Sequence, residues 1–182
     1  FYKNAKIKAI NIARFTDQKD HMTLLQSVSN AIKKKIKIKI LIIGYGPNKK
    51  IMIDFIKKNK LSNNIKIINF QKNPYKFIKE SNLFILTSIY EGLPNVLLEA
   101  ISLKKFVISS NCPTGPREIL NNGKYGLLFK PRNVNNLTNK IIDFSRRKNK
   151  YNKITLKAYN SLKRFDFNTN CEKYFQVVKE FI

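Results

Sequence analysis

Two carboxylates, Glu91 and Glu99, flank the stretch Glu91-Gly-Leu-Pro-Asn-Val-Leu-Leu-Glu99-Ala100, and two cations flank Arg14-Phe-Thr-Asp-Gln-Lys19. Carboxylates accept hydrogen bonds from neighbouring sugar hydroxyls, whereas an Arg fork and a Lys point charge neutralise phosphate oxygens. Pro94 suits the first position of a helix, because its φ is fixed and it needs no N–H there. A helix starting at Pro94 leaves the amides of Asn95 and Val96 free for an anion, with Glu99 one turn further on the same face. Acids, cations and free amides at one place would suit a nucleotide sugar. On the residues alone, an ordinary turn with two solvated acids is an equal reading, and one Arg/Lys pair among 36 basic residues carries little weight.

The elements that must bring these groups together are legible from periodicity. Lys6–Ala13 alternates as a strand, and Leu24, Leu25, Val28, Ala31 and Ile32 recur at helical spacing over 20–34. Ile36–Ile43 reads as a second strand. Gly44-Tyr-Gly46-Pro47 follows it, and then a helix over 48–60 with Ile51, Met52, Phe55 and Ile56 on one face. The glycines allow a tight turn and close backbone approach. A third glycine and an acid ending a following strand are missing, which excludes a dinucleotide fingerprint. Further strands are predicted at 65–70, 83–88, 106–110 and 127–129, with helices at 75–81, after Pro94, from Gly115-Pro116 and from Pro131 onward. Six strands alternating with helices predict a doubly wound, largely parallel Rossmann-like sheet with helices on both faces, in one domain over 1–182. Both charged stretches then lie in β-to-α loops on one rim of the sheet, where open α/β folds bind ligands.

With those residues in view, EGLPNVLLEA resembles the E-x7-E motif of the family 4 glycosyltransferases, which have the GT-B fold and retain anomeric configuration. The resemblance implies that Glu91 contacts donor-sugar hydroxyls, that the backbone of Gly92, Leu93, Asn95 and Val96 meets sugar and phosphate, and that Glu99 holds the ribose. RFTDQK is similar to the family's Arg/Lys loop, with Ala13 replacing its usual Gly, so Arg14 and Lys19 are expected to act with Glu91 in catalysis. Gly44 and Gly46 match the family's G-x-G-P turn along the donor cleft, and the loop 71–74 matches the one beside the nucleobase. Asn111-Cys-Pro-Thr-Gly-Pro-Arg-Glu118 is similar to the C-P-x-G-P-x-E-I stretch of bacterial members, which puts Gly115, Pro116 and Arg117 near the donor. A plain strand-to-helix loop remains an equal reading of that segment.

The match covers about 7–135. It implies the carboxyl-terminal, donor-binding half of a hexosyltransferase of cell-surface polysaccharide or lipopolysaccharide synthesis, inactive without an amino-terminal acceptor domain that 165–182 would cross back to reach. The expected donor is a UDP-linked sugar, bound as a substrate, and the acceptor a glycan or a lipid-linked glycan. No D-x-D pair is present and the Asp residues are isolated, so neither a cofactor nor an essential metal is expected.

Composition bounds the remainder. An apolar content of 43% over 182 residues is ample for a core, and nothing approaches the roughly 20 apolar residues of a membrane span. The chain opens at Phe1 and is expected to be a cytoplasmic piece of a longer polypeptide. Cys112 and Cys171 lack metal or disulfide spacing and are expected free. A lone His21 is expected to be structural or on the surface. The net charge of +25 attracts anionic membranes or nucleic acid, but Lys is scattered and accompanied by abundant Ile and Asn, which compositional bias also explains. Lys33–Ile40, the densest basic run, reads as a strand with one wet face or as a binding stripe. Peripheral contact with an anionic membrane fits the transferase reading. A sugar-nucleotide epimerase of like architecture would keep its acid/base groups mostly in the missing half. A nucleic-acid module would need aromatics interleaved with Lys and Arg, whereas Phe and Tyr fall mainly at core-like positions, so no nucleic acid is expected.

Overall fold

A computed structural model describes residues 1–181, with the backbone alone at Lys148. The strands β1 (Ile7–Ile12), β2 (Ile38–Ile43), β3 (Ile65–Ile68), β4 (Leu83–Leu86), β5 (Phe106–Ser110) and β6 (Leu127–Phe129) form one sheet in the order β3-β2-β1-β4-β5-β6, with every pairing parallel. Between them run the helices α1 (His21–Lys33), α2 (Lys49–Lys58), α3 (Tyr75–Glu80), α4 (Asn95–Ser102) and α5 (Gly115–Ile119). After β6 come α6 (Val134–Arg146), α7 (Lys148–Asn160) and α8 (Phe167–Lys179).

Helices cover both faces, so the strands are apolar on both sides, as buried parallel sheets require. One face packs Leu24, Leu25 and Val28 of α1, and Leu137 and Ile141 of α6, on alternate strand residues such as Ile40, Ile42 and Ile85. The other packs Leu97, Ala100 and Ile101 of α4 on Leu41, Phe84 and Val107. Lys33–Ile40 is corrected by this arrangement. Lys33 ends α1, the next residues turn, and only Ile38–Ile40 belong to a strand, which has no wet face. Ile51 also departs from expectation, being 54% exposed while Met52 is fully buried. Its helix is short and offers the sheet a narrow stripe.

The strand order reverses between β1 and β4, whose pairing spans only Ala9–Leu83 and Ile10–Phe84. Beyond it the strands part, and the Asn11 amide bridges the gap by donating to the Ile85 carbonyl at 2.8 Å. A crevice therefore opens at the carboxyl ends of these two strands, the switch point at which open α/β sheets bind ligands.

Candidate functional site

The loop leaving β1 carries Arg14 and Lys19, and the loop leaving β4 carries Glu91, so the crevice is bounded by a basic and an acidic wall. The walls touch. Lys19 Nζ lies 2.5 Å from Glu91 Oε1, the two side chains being 14% and 9% exposed. Ser88 donates its hydroxyl to the same carboxylate oxygen at 2.5 Å. Backbone contacts lock the loops to one another: the Ile89 amide donates to the Gln18 carbonyl at 2.8 Å, and the Thr87 hydroxyl donates to the Lys19 carbonyl at 2.8 Å. An ion pair this sheltered keeps both charges in place, because breaking it leaves one of them buried alone. Lys19 has three donors, so pairing with Glu91 leaves others for an anion.

Arg14 is exposed on the same loop, and its side chain forms no ion pair among the described residues. The Gly44–Pro47 turn fixes this loop from behind. A Cβ on Gly44 would lie 1.9 Å from the Ala13 carbonyl oxygen, and one on Gly46 would lie 2.5 Å from that of Phe15. Gly46 adds a φ of +146°, which side chains disfavour. The Phe15 amide donates to the Tyr45 carbonyl at 2.6 Å, and the Asn48 amide to the Phe15 carbonyl at 3.0 Å. These two glycines let the second βα turn press onto the first.

α4 starts at Asn95. Pro94 is its cap, in an extended conformation, rather than its first helical residue, and no side chain caps the start. Asn95 is exposed and Val96 half-buried, and neither amide has an intrahelical partner. Glu99 is half-buried, and burial pushes its carboxyl upward. Gly92 and Leu93 are exposed, and a Cβ on Gly92 would meet open space.

The β5–α5 loop holds this turn in place. Thr114 donates its hydroxyl to the Glu91 carbonyl at 2.5 Å, and the Gly115 amide donates to the Gly92 carbonyl at 2.8 Å. Gly115 and Pro116 are buried and Arg117 is exposed. A Cβ on Gly115 would fall 2.0 Å from the Gly92 carbonyl oxygen and 2.9 Å from Leu93 Cα. Thr114 sits at φ +82°, a strained value for a β-branched residue. Sequence reasoning missed Ser88 and Thr114. For Thr114 the only signal was its place before Gly-Pro.

His21 lies behind the basic wall, 3% exposed, with Nε2 3.2 Å from Asn11 Oδ1. The Asn11 amide nitrogen donates to Ile85, so Asn11 Oδ1 is the acceptor and His21 carries its proton on Nε2. Its buried Nδ1 has no hydrogen-bond partner among the described residues. Burial, and secondarily the Lys19 charge, lowers its pKa to about 4. It is a structural histidine. Cys112 is buried and Cys171 exposed, both free. Among the described residues no group of three or more metal-type side chains gathers, and no helix is long and apolar enough to cross a membrane.

The sequence model of the family described as Glycosyl transferases group 1 matches residues 2–161. The chain belongs to this family. An uncharacterized glycosyltransferase of Methanocaldococcus jannaschii is 43% identical to this family member over 135 residues, covering 67% of the chain and 33% of the relative. The N-acetylgalactosamine-N,N'-diacetylbacillosaminyl-diphospho-undecaprenol 4-alpha-N-acetylgalactosaminyltransferase of Campylobacter jejuni is 28% identical over 128 residues, covering 70% and 34%. The chain thus spans about a third of the length of the curated relatives it matches. Among solved structures, Anabaena HepE in complex with UDP superposes with a TM-score of 0.87 at 20% identity, covering 97% of this chain and 49% of that one. TarM gives 0.86 at 23%, covering 94% and 35%. These likenesses show the fold, a GT-B glycosyltransferase domain of carboxyl-terminal type that makes up about one half of such an enzyme.

Proposed function

We propose that the crevice between β1 and β4 binds a nucleotide-diphosphate sugar, and that the longer polypeptide transfers its hexose, with retention, to a glycan or lipid-linked acceptor. The observation that carries this reading is the Lys19–Glu91 pair at the switch point, beside an uncapped helix start. Glu91 would accept from donor-sugar hydroxyls, while the backbone of Gly92, Leu93, Asn95 and Val96 meets sugar and phosphate. Glu99 would hold the ribose, and the loop 71–74 would flank a uracil base. As the bond to the leaving diphosphate breaks, negative charge grows on its oxygens. Arg14, Lys19 and the α4 amides would stabilise that charge, and the Glu91 pair and the helix backbone that hold Lys19 and the amides favour a low reorganisation cost. No divalent ion is called on in this scheme. Gly44, Gly46 and Gly115 would act by positioning the loops, since a Cβ on each would meet other backbone, and buried Pro116 would do so beside Gly115. The UDP and acceptors named for the relatives support this assignment of substrate class.

The remaining polypeptide would supply the acceptor domain. A groove of about 1020 Å³ beside α4, lined by Leu93, Leu98, Phe165, Tyr174 and Phe175, gives that domain an apolar seat against α8.

Calorimetric titration of the chain with UDP, GDP and UDP-hexoses tests the reading. UDP should bind, Arg14→Ala should weaken it at least about tenfold, a loss of 1.4 kcal/mol, and Glu91→Gln should erase any preference for UDP-hexose over UDP. Undiminished UDP binding by Arg14→Ala would refute the pocket.

A further inference from the structure

The edge opposite the crevice, where all six strands begin, carries a concentrated charge. The loop from α1 to β2 supplies exposed Lys34, Lys35 and Lys37, and the turn from α2 to β3 supplies Lys57, Lys58 and Lys60. The loop from α4 to β5 adds Lys104 and Lys105. The acids at this edge are Glu80, at the end of α3, and Asp143, near the end of α6, which pairs with Arg147 and accepts from the Tyr151 hydroxyl. The crevice edge differs in kind, because Asp17, Asp20, Glu91 and Glu118 are interspersed there with its cations.

Helix dipoles do not account for the excess. Six helices, α1 to α6, run back to this edge, and each carboxyl terminus carries about half a negative charge, or roughly three in all. Nor do ion pairs, since the described residues form only two, Lys19–Glu91 and Arg147–Asp143. Compositional bias explains abundant lysine but not why these three turns carry eight lysines against so few acids.

α7 completes this edge. Its Tyr151 packs on Phe106, the first residue of β5, with ring centroids 4.5 Å apart, on one face of the sheet, while its Ala158 joins the core on the other. The helix therefore passes beneath the sheet. From Arg146 to Arg164 the sequence contains eight cations and no acid. Among them, exposed Leu156 and Tyr159 point outward, at 55% and 38% exposure. A basic helix presenting an aliphatic and an aromatic side chain has the composition of one that lies on a membrane surface.

We propose that this edge, centred on α7 and the Lys104–Lys105 turn, docks the protein on an anionic lipid bilayer. A bilayer fits better than nucleic acid because a lysine ammonium lies over each exposed ring at this edge, leaving part of it open to lipid but its face occupied: Lys104 Nζ sits 4.7 Å from the Tyr159 centroid, and Lys39 Nζ 5.3 Å from that of Phe1. Ring faces occupied by lysine offer no platform for stacked bases, and Leu156 has none to offer. A bilayer also engages separate loops at once, each lysine multiplying the partition by about fivefold.

Co-sedimentation with vesicles of phosphatidylcholine, with and without 30 mol% phosphatidylglycerol (a composition of about a third anionic lipid), is the test. The chain should pellet with the anionic vesicles only and be released by salt. Lys104→Glu, Lys105→Glu, Lys153→Glu and Lys157→Glu together should weaken binding at least about 100-fold. A control of equal net charge at the crevice edge, Lys49→Glu, Lys50→Glu, Lys72→Glu and Lys130→Glu, should stay within about threefold, both variants being checked for an unchanged thermal transition. Equal loss in the two quadruple variants, or no preference for anionic lipid, would overturn the proposal. So would displacement of the chain from vesicles by single-stranded RNA at equal phosphate. Donor binding is a separate readout, so the crevice assignment and this surface stand or fall independently.

Discussion

His21 is enclosed as a neutral ring, with a free pair on Nδ1 facing no donor and the Lys19 charge nearby. Its pKa falls from 6.5 to about 4 on folding. Between those values the unfolded chain binds the extra proton and the folded chain does not, so stability is untouched above pH 6.5 and declines as the pH falls toward 4. From pH 7 to pH 5 this one group should cost about 2 kcal/mol. Urea titrations should show that His21→Gln loses about that much less than the parent over the same interval; parallel losses would mean that the ring is protonated in the fold. Glu91, Arg14 and Lys19 were singled out by their likeness to the family's motifs, since on the residues alone charged groups in the βα loops of so basic a chain carry little weight. Ser88 and Thr114 were not, since hydroxyl residues fill many turns and only the approach of distant loops shows what theirs hold. The fate of His21 likewise depends on Asn11, ten residues away in sequence and on another element.

Two glycines in neighbouring elements, Gly92 and Gly115, should behave oppositely, and the difference separates positioning from contact. In Gly115→Ala the new methyl group meets the Gly92 carbonyl and the Leu93 backbone, neither of which can swing aside as a side chain would. Overpacking of this kind costs about 1–3 kcal/mol, and it should displace the whole turn from Glu91 to Pro94. We expect a lowered melting temperature together with weaker UDP-hexose binding. Gly92→Ala places its methyl in open space, so its stability should change by less than about 0.5 kcal/mol while donor affinity falls if the sugar lies there. Thermal melts and calorimetry of the pair decide the matter, and unchanged affinity in both would remove the turn from the donor site. Strands and helices were legible from periodicity nearly to the residue at β5 and β6. The run 33–40 was misread because Lys/Ile alternation looks alike in a turn and in a strand, and Pro94 because a proline fits both a cap and a first helical position.

Across the whole molecule, the least anchored element is α8. None of its thirteen residues is buried, and Phe167, Tyr174, Phe175 and Val177 are between 54% and 77% exposed. α1, of equal length, buries eight. An isolated helix of this size is marginal in water, so in this chain α8 stands on its contacts with the short turn before it and on its Asp166 cap, which accepts from the Thr169 amide at 2.9 Å. Its apolar stripe could be read from the sequence, whereas the lack of a partner for it could not, since spacing reports which residues share a face and not what lies against them. Deleting 167–182 should therefore lower stability by less than about 1 kcal/mol, a shift of a few degrees at most for a domain of this size. It should also reduce the binding of a hydrophobic dye. Hydrogen exchange of the intact chain should find α8 amides opening far more readily than those of α1, which should exchange only with global unfolding. A fall of ten degrees on truncation, or equal protection of the two helices, would mean that α8 is already seated within this domain, leaving no apolar face for the remaining polypeptide to cover.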